Sequence, residues 1–532
     1  MSADVIRSPR RVAPTLAAAV LAVAYLSIGP KGADLPAQLF RARLFGVEGF
    51  GIWDNWWYAG HNLPGYSVLF PPLAWLTTPQ VVAAAASVVT AAAFEALAHD
   101  AYGDDAWVGA TWLGAATVVE LLSGRLTFAF GLCGVALTAL ALQRARGGLA
   151  VAAAFLTALA SPVAALFVAL AGVTVFVTGR SRRAGAGVIA GALLPVVALA
   201  VVFPEGGSQP FAWGTLWPLL LTGSVLLAVL PRDARTLRTA TALYLSGCLL
   251  AYVIATPVGA NAARLGELVA GPLAALILVP RRRFLMLAIL ALPLTYIQVH
   301  DAIGDIEHGN RSPSDTPAYY QPLVGFLERQ PGAAGHTFRV EVPFTQGHWE
   351  SDYLAPLFPL ARGWERQLDI RDNRLFYGGR LDATTYETWL HQLAVRYVAV
   401  ADAPLDYSAK AEAKLIESGL PDLRLVARLR HWRVYAVRNP TPIATGAGSL
   451  TEMGADSLTL KVTRPGRTYV RVRWSPYWQL SGIDGCVEPM GGFTEISARS
   501  SGTARLTISF ALGRIGANSP RCDWERRPGG HA

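Results

Sequence analysis

Residues 1–300 consist largely of long apolar runs, and this pattern constrains the fold more than any other feature of the chain. The runs are rich in Ala, Leu, Val and Gly, and short arginine clusters separate them. Because a helix needs about 20 apolar residues to cross a bilayer, the pattern predicts a polytopic helical membrane domain. The predicted spans are 12–29, 67–98, 106–122, 126–142, 149–160, 162–178, 185–203, 212–230, 239–255, 264–279 and 284–299.

These runs amount to about eleven crossings. Ser161-Pro162 divides 149–178 into either two short helices or one kinked helix, and the parity of the topology depends on that choice. Cytoplasmic loops hold the excess of Lys and Arg, so charge tests the alternatives. With two helices, fourteen basic residues fall inside against five outside, which favours a cytoplasmic N-terminus and an extracytoplasmic C-terminal part. The inside arginines lie within 7–11, 144–146, 180–183, 232–238 and 281–283.

The formal net charge of +9 owes much to these arginines. It therefore reflects membrane topology, and we expect no nucleic-acid partner. The segment 1–28 has the charged-then-apolar form of a signal peptide, but no A-x-A cleavage site precedes Lys31 and many spans follow. We expect an uncleaved first helix in the cytoplasmic membrane.

The composition changes near residue 300, beyond which Asp, Glu, Arg and turn residues occur at the density of a soluble protein. His300–Pro317 is predicted to be a linker, residues 301–440 an α/β domain and residues 441–532 a small antiparallel β-sandwich. The final segment, Arg526–Ala532, is predicted to be disordered. Predicted helices are 319–329 and 385–393, and predicted strands are 339–342, 396–401, 423–429, 433–437, 457–462, 468–474, 494–498 and 504–510.

The four cysteines divide evenly between the two parts. Cys133 and Cys248 lie in predicted helices and are expected to be packing residues. Cys486 and Cys522 lie in the predicted extracytoplasmic part, where a disulfide is permitted, and we expect them to pair.

Asp34 follows the first apolar helix and precedes Pro36–Phe45, which can form a short amphipathic helix on the membrane surface. An ionisable carboxylate at the membrane is costly unless it is solvated or paired, so a functional role is a reasonable expectation. A carboxylate at headgroup depth can act as a general base on an acceptor hydroxyl. The alternative is that Asp34 only caps the helix that begins near Pro36.

The first outer loop continues with Asp54, Trp57, Tyr58 and His61. The two titratable side chains are candidates for substrate contact, and the aromatic rings for stacking on a sugar. Three alternatives remain open. Asp54-Asn55 also suits a turn, His61 a bond to a backbone carbonyl, and the aromatic rings an interfacial anchor.

Arg125 and Arg264 are the basic residues of two other predicted outer connections, against the general charge trend. A guanidinium can hold a phosphate in bidentate fashion and stabilise the charge on a departing lipid phosphate. Asn261 lies in the same connection as Arg264 and is a further candidate ligand. The alternatives are ion pairs of Arg125 with Glu120 and of Arg264 with Glu267.

The tail contributes two polar-aromatic clusters, His348–Asp352 with its Glu350, and Arg362–Gln367. Both are candidates for acceptor recognition, although their charge density is also ordinary for a soluble domain. None of these spacings forms a recognisable zinc site, and no Walker loop or dinucleotide fingerprint occurs. The use of ATP or of a nucleotide sugar is therefore unsupported.

Together, Asp34, the loop Trp57-Tyr58-Ala59-Gly60-His61, the apolar return Tyr66–Leu73 and Ser123-Gly124-Arg125-Leu126 resemble the GT-C superfamily of polytopic glycosyltransferases. More narrowly, the chain looks like actinobacterial-type membrane proteins related to it. Their tails contain stretches like Ala361–Asp369 and Val395–Val400.

The resemblance implies inverting transfer of a sugar from a polyprenyl-phosphate donor to a glycan or lipid acceptor outside the cytoplasmic membrane. Asp34 matches the acidic base of the first outer loop. Many members carry two adjacent acidic residues there, but Leu35 follows Asp34 in this chain, so a reaction without a metal cofactor is expected. The alanine-rich, lysine-poor composition suggests a GC-rich actinobacterial source, in which arabinose and mannose on decaprenyl phosphate are plausible donors that the sequence does not distinguish. A second hypothesis is a transporter of lipid-linked envelope intermediates or a noncatalytic assembly protein, which would need a polar path across the membrane.

Overall fold

A computed structural model describes residues 9–310 and 312–523 of the 532-residue chain. The chain divides into two compact units, and the second is assembled from three separate pieces of sequence. The first unit comprises Met1–Arg43, Gly65–Ala200 and Gly206–Asn310, and the second comprises Leu44–Pro64, Val201–Glu205 and Arg311–Ala532. The predicted inside position of Arg7 and the predicted disorder of Arg526–Ala532 lie outside the described residues.

The first unit is helical. The helices that supply it are α1 (Pro9–Ile28), α2 (Leu35–Glu48, which ends in the second unit), α3 (Phe70–Leu76), α4 (Pro79–Tyr102), α5 (Trp107–Leu122), α6 (Leu126–Gln143), α7 (Gly147–Ala160), α8 (Pro162–Val177), α9 (Arg182–Val202, which also ends in the second unit), α10 (Trp213–Val229), α11 (Arg235–Val253), α12 (Arg264–Leu278) and α13 (Phe284–Asn310). Short 3-10 helices precede α5 and α12, at Gly103–Ala106 and Gly259–Ala263.

Every predicted span except 67–98 falls on a single helix. Within the described part of the chain, six segments are long and apolar enough to cross a membrane, and α7, α8 and α10 are shorter apolar helices. These segments make the chain a polytopic membrane protein. The crossing number of about eleven and the sidedness of the termini stay predictions.

The pair α7 and α8 is broken at Ser161. The Ser161 hydroxyl accepts a hydrogen bond from the Ala164 amide at 3.4 Å, and Pro162 occupies the first helical position. A capping hydroxyl followed by proline is a strong start signal for a new helix. The segment is therefore two helices, with their small side chains packed against each other and α9 in one apolar cluster.

Two predicted boundaries are wrong. The segment 67–98 is two helices rather than one, because the Thr78 hydroxyl caps α4 at the Val81 amide and Pro79 begins the new helix. The predicted linker His300–Pro317 is helical as far as Asn310, since α13 continues beyond its apolar part. Gly304 and Gly309 did not end this helix, although glycine lowers helix propensity.

An α/β sheet and its helices form one part of the second unit. The sheet order is β3 (Arg339–Glu341), β4 (Val395–Ala401), β6 (Trp432–Val437) and β5 (Leu423–Leu429), with β3 parallel to β4 and the other pairs antiparallel. Around it lie α14 (Pro317–Glu328), α15 (Glu350–Tyr353), α16 (Arg366–Asp372), α17 (Ala383–Gln392) and α18 (Lys410–Glu417). The predicted α/β elements are thus present close to their expected positions.

Two antiparallel sheets form the β-rich end of the same unit. One has the order β15 (Arg521–Cys522), β12 (Gly485–Met490), β13 (Phe493–Ala498), β10 (Gly466–Arg473) and β7 (Ala444–Gly446), and the other β11 (Trp478–Ser481), β14 (Gly502–Ile508), β9 (Ser457–Val462) and β8 (Gly448–Met453). Their inward side chains share one apolar core. Cys486 and Cys522 are opposite each other on β12 and β15 and are joined by a disulfide.

The loop 53–62, from the first long connection of the chain, belongs to the core of the second unit. Its ends form a two-residue hairpin of β1 (Trp53–Asp54) and β2 (His61–Asn62). The Trp56 carbonyl accepts from the Leu360 amide at 2.8 Å, and the Ala59 carbonyl accepts from the Arg473 amide at 2.8 Å. The loop therefore bonds both to the α/β part and to the β-rich part.

Candidate active site

The position of Asp34 is set by two turns whose backbones touch. Asp34 lies between α1 and α2, and its amide donates to the Ser123 carbonyl at 3.5 Å. A Cβ at Gly32 would lie 2.2 Å from the Gly124 nitrogen, so only glycine permits this approach. Gly124 has a φ of +74°, and its carbonyl accepts from the Gln38 side chain at 2.9 Å. The carboxylate of Asp34 and the guanidinium of Arg125 thus project from adjoining turns.

Arg264, the first residue of α12, comes to the same place from a distant part of the chain. Its Nη2 lies 3.9 Å from Oδ2 of Asp34, and its guanidinium carbon lies 5.3 Å from the centre of the Phe128 ring. The side chains of Asp34 and Arg264 are 21% and 19% exposed, respectively. This partial exposure leaves the pair accessible to a ligand while the surrounding residues hold it in position.

Arg125 is held by carboxylates of two helices. Its Nη1 lies 4.0 Å from Glu267 of α12, and its Nη2 lies 3.4 Å from Asp301 of α13. Burial alone would lower the pKa of Arg125, but the carboxylates of Glu120 and Glu267 outweigh it and raise the pKa above its ordinary value. Arg125 is therefore a fixed positive charge.

The ion pairs differ in part from those that the sequence spacing offered. Arg264 lies against Asp34 rather than pairing locally with Glu267, and Glu267 instead reaches Arg125. Glu120 is buried and interacts electrostatically with Arg125 and Arg264. The two arginines and Asp34, which the sequence placed in three separate connections, therefore form one cluster.

Sequence reasoning missed three features of this cluster and of α2 beside it. Asp301 and Asp305 were assigned to a linker, although their spacing of four residues places them on one face of a helix. Gln38 had no signal beyond its place in the short interfacial helix. Arg41 is 5% exposed and lies under the Tyr66 ring, 3.9 Å from its centre, which no local pattern indicated.

Asn261 lies in the 3-10 helix just before α12. Its side-chain amide is within 3.5 Å of the Pro257 carbonyl, and its backbone amide donates to Val258 at 2.9 Å. These bonds stay within its own loop. A ligand contact by Asn261 stays a prediction.

The candidates of the first outer loop are enclosed in the second unit. Asp54, Trp57 and Tyr58 are fully buried and His61 is 2% exposed. The His61 ring stacks on Trp57 at 5.7 Å, with its nitrogens 3.7 Å from Asp54 Oδ2 and 4.0 Å from Glu365 Oε1. Tyr58 donates to the Glu365 carbonyl at 2.9 Å. All four side chains therefore lie inside the second unit, and a substrate contact by any of them stays a prediction.

The tail cluster around Arg362 is also internal. Its guanidinium donates to both oxygens of Asp369 at 3.0 and 2.6 Å and to Glu412 at 3.1 Å. The rings of Phe344 and Phe376 each lie 3.9 Å from the guanidinium carbon. A paired and sandwiched arginine of this kind fixes the structure of a core.

Glu350 and His348 are neighbouring buried side chains. Glu350 is 1% exposed and accepts from the amide and hydroxyl of Thr345 at 3.2 and 2.6 Å, and burial raises its pKa. His348 is also buried, 7% exposed, and lies 3.6 Å from Asp406, 3.4 Å from Arg366 and 3.9 Å from Glu350. A ligand contact by His348 or Glu350 stays a prediction.

The comparisons with known proteins bear on the fold. No protein-family model matches the chain, and no curated protein matches it. Among solved structures, the apo oligosaccharyltransferase of Archaeoglobus fulgidus has a TM-score of 0.50 at 10% identity, over 96% of this chain and 95% of that chain. ArnT from Cupriavidus metallidurans gives 0.38 at 13% identity, over 78% of this chain and 97% of that chain. A. fulgidus AglB, in complex with an inhibitory peptide and a dolichol-phosphate, gives 0.36 at 13%, over 74% and 69%.

The first of these likenesses spans nearly the whole of both chains. It extends over both units, the helical membrane part and the mixed part that follows it. The chain accordingly has the fold of the A. fulgidus oligosaccharyltransferase.

The contact between the two turns predicts a strong effect of Gly32→Ala. The added methyl group would overlap the Gly124 backbone, so the turns must separate, and we expect a loss of about 1–3 kcal/mol in stability. Thermal unfolding of the detergent-purified protein measures it. Gly214→Ala is the control, because a Cβ there meets nothing within 4 Å. Equal melting temperatures for the two variants would contradict the packing described.

Glu205 predicts a pH dependence of the second unit. It accepts a hydrogen bond from the Asn62 amide, and burial raises its pKa to about 8 against the opposing charge of Arg371. Between about pH 4.3 and pH 8 the folded chain keeps a proton that the unfolded chain releases, so stability falls as pH rises through this window.

We therefore expect Glu205→Gln to have a higher melting temperature than wild type at alkaline pH. Its melting temperature should also decline less than that of wild type between about pH 5 and pH 9. Melting curves recorded at several pH values test this. Glu452→Gln, at an exposed position on β8, should keep the wild-type profile. An unchanged slope in Glu205→Gln would show that Glu205 does not titrate in the window.

Proposed function

We propose that the chain is a membrane glycosyltransferase that transfers a sugar from a polyprenyl-phosphate donor to an acceptor outside the cytoplasm, with inversion at the anomeric carbon. The observation that carries the proposal is the cluster of Asp34, Arg264 and Arg125 in a chain with the GT-C fold. The proposal includes a cytoplasmic N-terminus and an extracytoplasmic second unit, on the evidence of the arginine distribution.

Asp34 acts as the general base in this proposal. Its carboxylate takes the proton of an acceptor hydroxyl while that oxygen forms a bond to the anomeric carbon. The bond from this carbon to the phosphate oxygen breaks, and its electron pair leaves with the lipid phosphate. A single displacement of this kind inverts the configuration. The partial exposure of Asp34 supports access by the acceptor hydroxyl.

Arg125 and Arg264 hold the donor phosphate. The negative charge on the phosphate grows as the glycosidic bond breaks, and two fixed guanidinium groups stabilise that growing charge. Glu267 and Asp301 keep Arg125 oriented, and the ring of Phe128 lies beside Arg264. No metal ion is required for these steps, in line with the single acidic residue at position 34.

The transferred sugar and the acceptor are proposed at the level of class. The donor sugar is arabinose or mannose, because the amino-acid composition is typical of an actinobacterial source. The acceptor is a cell-envelope glycan or lipid. Trp57, Tyr58, Asp54 and His61 take no direct part in this proposal, because they are buried within the second unit.

The central test is Asp34→Asn, which keeps the shape of the side chain but removes the base. We expect transfer to fall by a factor on the order of 10²–10⁴ while the melting temperature stays close to wild type. The assay incubates purified protein with polyprenyl-phosphate arabinose and mannose and measures free polyprenyl phosphate. Asp104→Asn is the matched control, since Asp104 is 75% exposed and pairs with His99. Full activity in Asp34→Asn would refute the assignment.

The phosphate role is tested by Arg264→Lys. Lysine keeps the charge but loses the planar pair of donors, so kcat should fall on the order of a hundredfold with KM nearly unchanged. Arg146→Lys, at an exposed position before α7, serves as the control. A variant whose kcat equals that of wild type would exclude Arg264 from stabilising the leaving group.

A further inference from the structure

Tyr407 is an exposed aromatic ring on a rigid support. It is 61% exposed, and among the described residues of the second unit no other tyrosine is exposed. One side of its ring faces Arg366, whose guanidinium carbon lies 4.8 Å from the ring centre. The ring of Tyr377 meets it edge-on at 6.4 Å. We call Tyr407, Arg366, Asp406 and Tyr377 the Tyr407 platform.

The support is rigid because Arg366 is hydrogen-bonded at both ends of its guanidinium group. It donates to the two oxygens of Asp406 at 3.0 and 2.8 Å, to the Tyr377 hydroxyl at 3.0 Å and to the Ser408 hydroxyl at 3.1 Å. Asp406 also accepts from the amide and hydroxyl of Ser408 at 2.9 and 2.6 Å. A ring held on such a support loses little freedom when a ligand stacks on its open side.

The backbone that follows Tyr377 is open to solvent-sized groups. Gly378 and Gly379 follow Tyr377 with φ angles of +81° and +71°, and a Cβ at either would meet nothing within 4 Å. His348, at the border of the platform, has a φ of +53°, which is unusual for a residue other than glycine. Backbone conformations of this type are found preferentially at ligand sites.

The charges of the platform cancel. Burial by itself would raise the pKa of Asp406, but His348 and Arg366 hold it far below its ordinary value, so the carboxylate pairs fully with the guanidinium. A flat ring above a neutralised ion pair suits an uncharged ring with one apolar face. A neutral sugar has that form, whereas a phosphate or a nucleic acid would need a net positive charge.

We infer that the Tyr407 platform binds a neutral sugar residue of the acceptor glycan by stacking on Tyr407. This inference rests on the proposed function for the identity of the ligand, but its binding step is independent of transfer. The site lies wholly within the second unit.

Binding of linear arabinan and mannan oligosaccharides to the full-length protein in nanodiscs tests the inference, with saturation-transfer NMR and titration as readouts. We expect saturable binding of one oligosaccharide by wild type and a rise in Kd of about three- to tenfold in Tyr407→Ala, the size of one aromatic contact. Tyr407→Trp should bind at least as tightly as wild type, because it keeps a stacking surface.

Tyr469→Ala is the matched control. Tyr469 also stacks on an arginine, Arg471, at 5.0 Å and meets Phe493 edge-on, but it is half-buried. Wild-type affinity in Tyr407→Ala, or no saturable binding of either oligosaccharide by wild type, would overturn the inference.

Asp34→Asn separates the two proposals. It should bind oligosaccharide with the affinity of wild type, because its substitution lies in the first unit. If Asp34→Asn kept full transfer while Tyr407→Ala lost affinity, the catalytic proposal alone would fail and the platform would stand.

Discussion

The site depends on the contact between two glycine turns. Gly32 and Gly124 let the backbone after α1 lie against the backbone before α6, and a side chain at Gly32 would force them apart. This contact brings the carboxylate of Asp34 and the guanidinium of Arg125 to one place from adjoining turns. Arg264 completes the cluster from the start of α12. The chemistry proposed for the chain is thus built on main-chain packing.

Local signals gave most of the helical architecture and little of the site's geometry. Apolar runs located the helices, and Ser161-Pro162 marked the break between α7 and α8 because capping and proline are local effects. Thr78-Pro79 carries the same capping signal, but the long apolar run 67–98 around it predicted a single helix. Asp34, Arg125 and Arg264 were identified as candidates, but their proximity arises from long-range packing that spacing cannot encode. Asp301 and Asp305 were not predicted as part of the cluster for a simpler reason. Polar residues that follow an apolar run are typical of a linker.

The loop 53–62 shows where composition misleads. Its tryptophans, tyrosine and paired polar residues have the content of a binding loop, and the same content suits a core that must satisfy buried polar groups. In the structure the Asn55 side chain donates to the Gly454 carbonyl, and Arg473 donates to the Tyr58 carbonyl. Aromatic and polar residues in one loop are therefore compatible with burial as well as with binding. Only tertiary contacts distinguish the two.

The assembly of the second unit from three pieces of sequence has a consequence for biosynthesis. Residues 44–64 leave the ribosome early, but the strands that enclose them come from the final third of the chain. Trp57 and His61 therefore stay unenclosed while the eleven helices α3–α13 are translated. This loop is therefore a defined substrate for a folding factor that shields it during synthesis. A gene fragment that encodes the tail alone would lack residues 44–64, which form part of the core of the second unit.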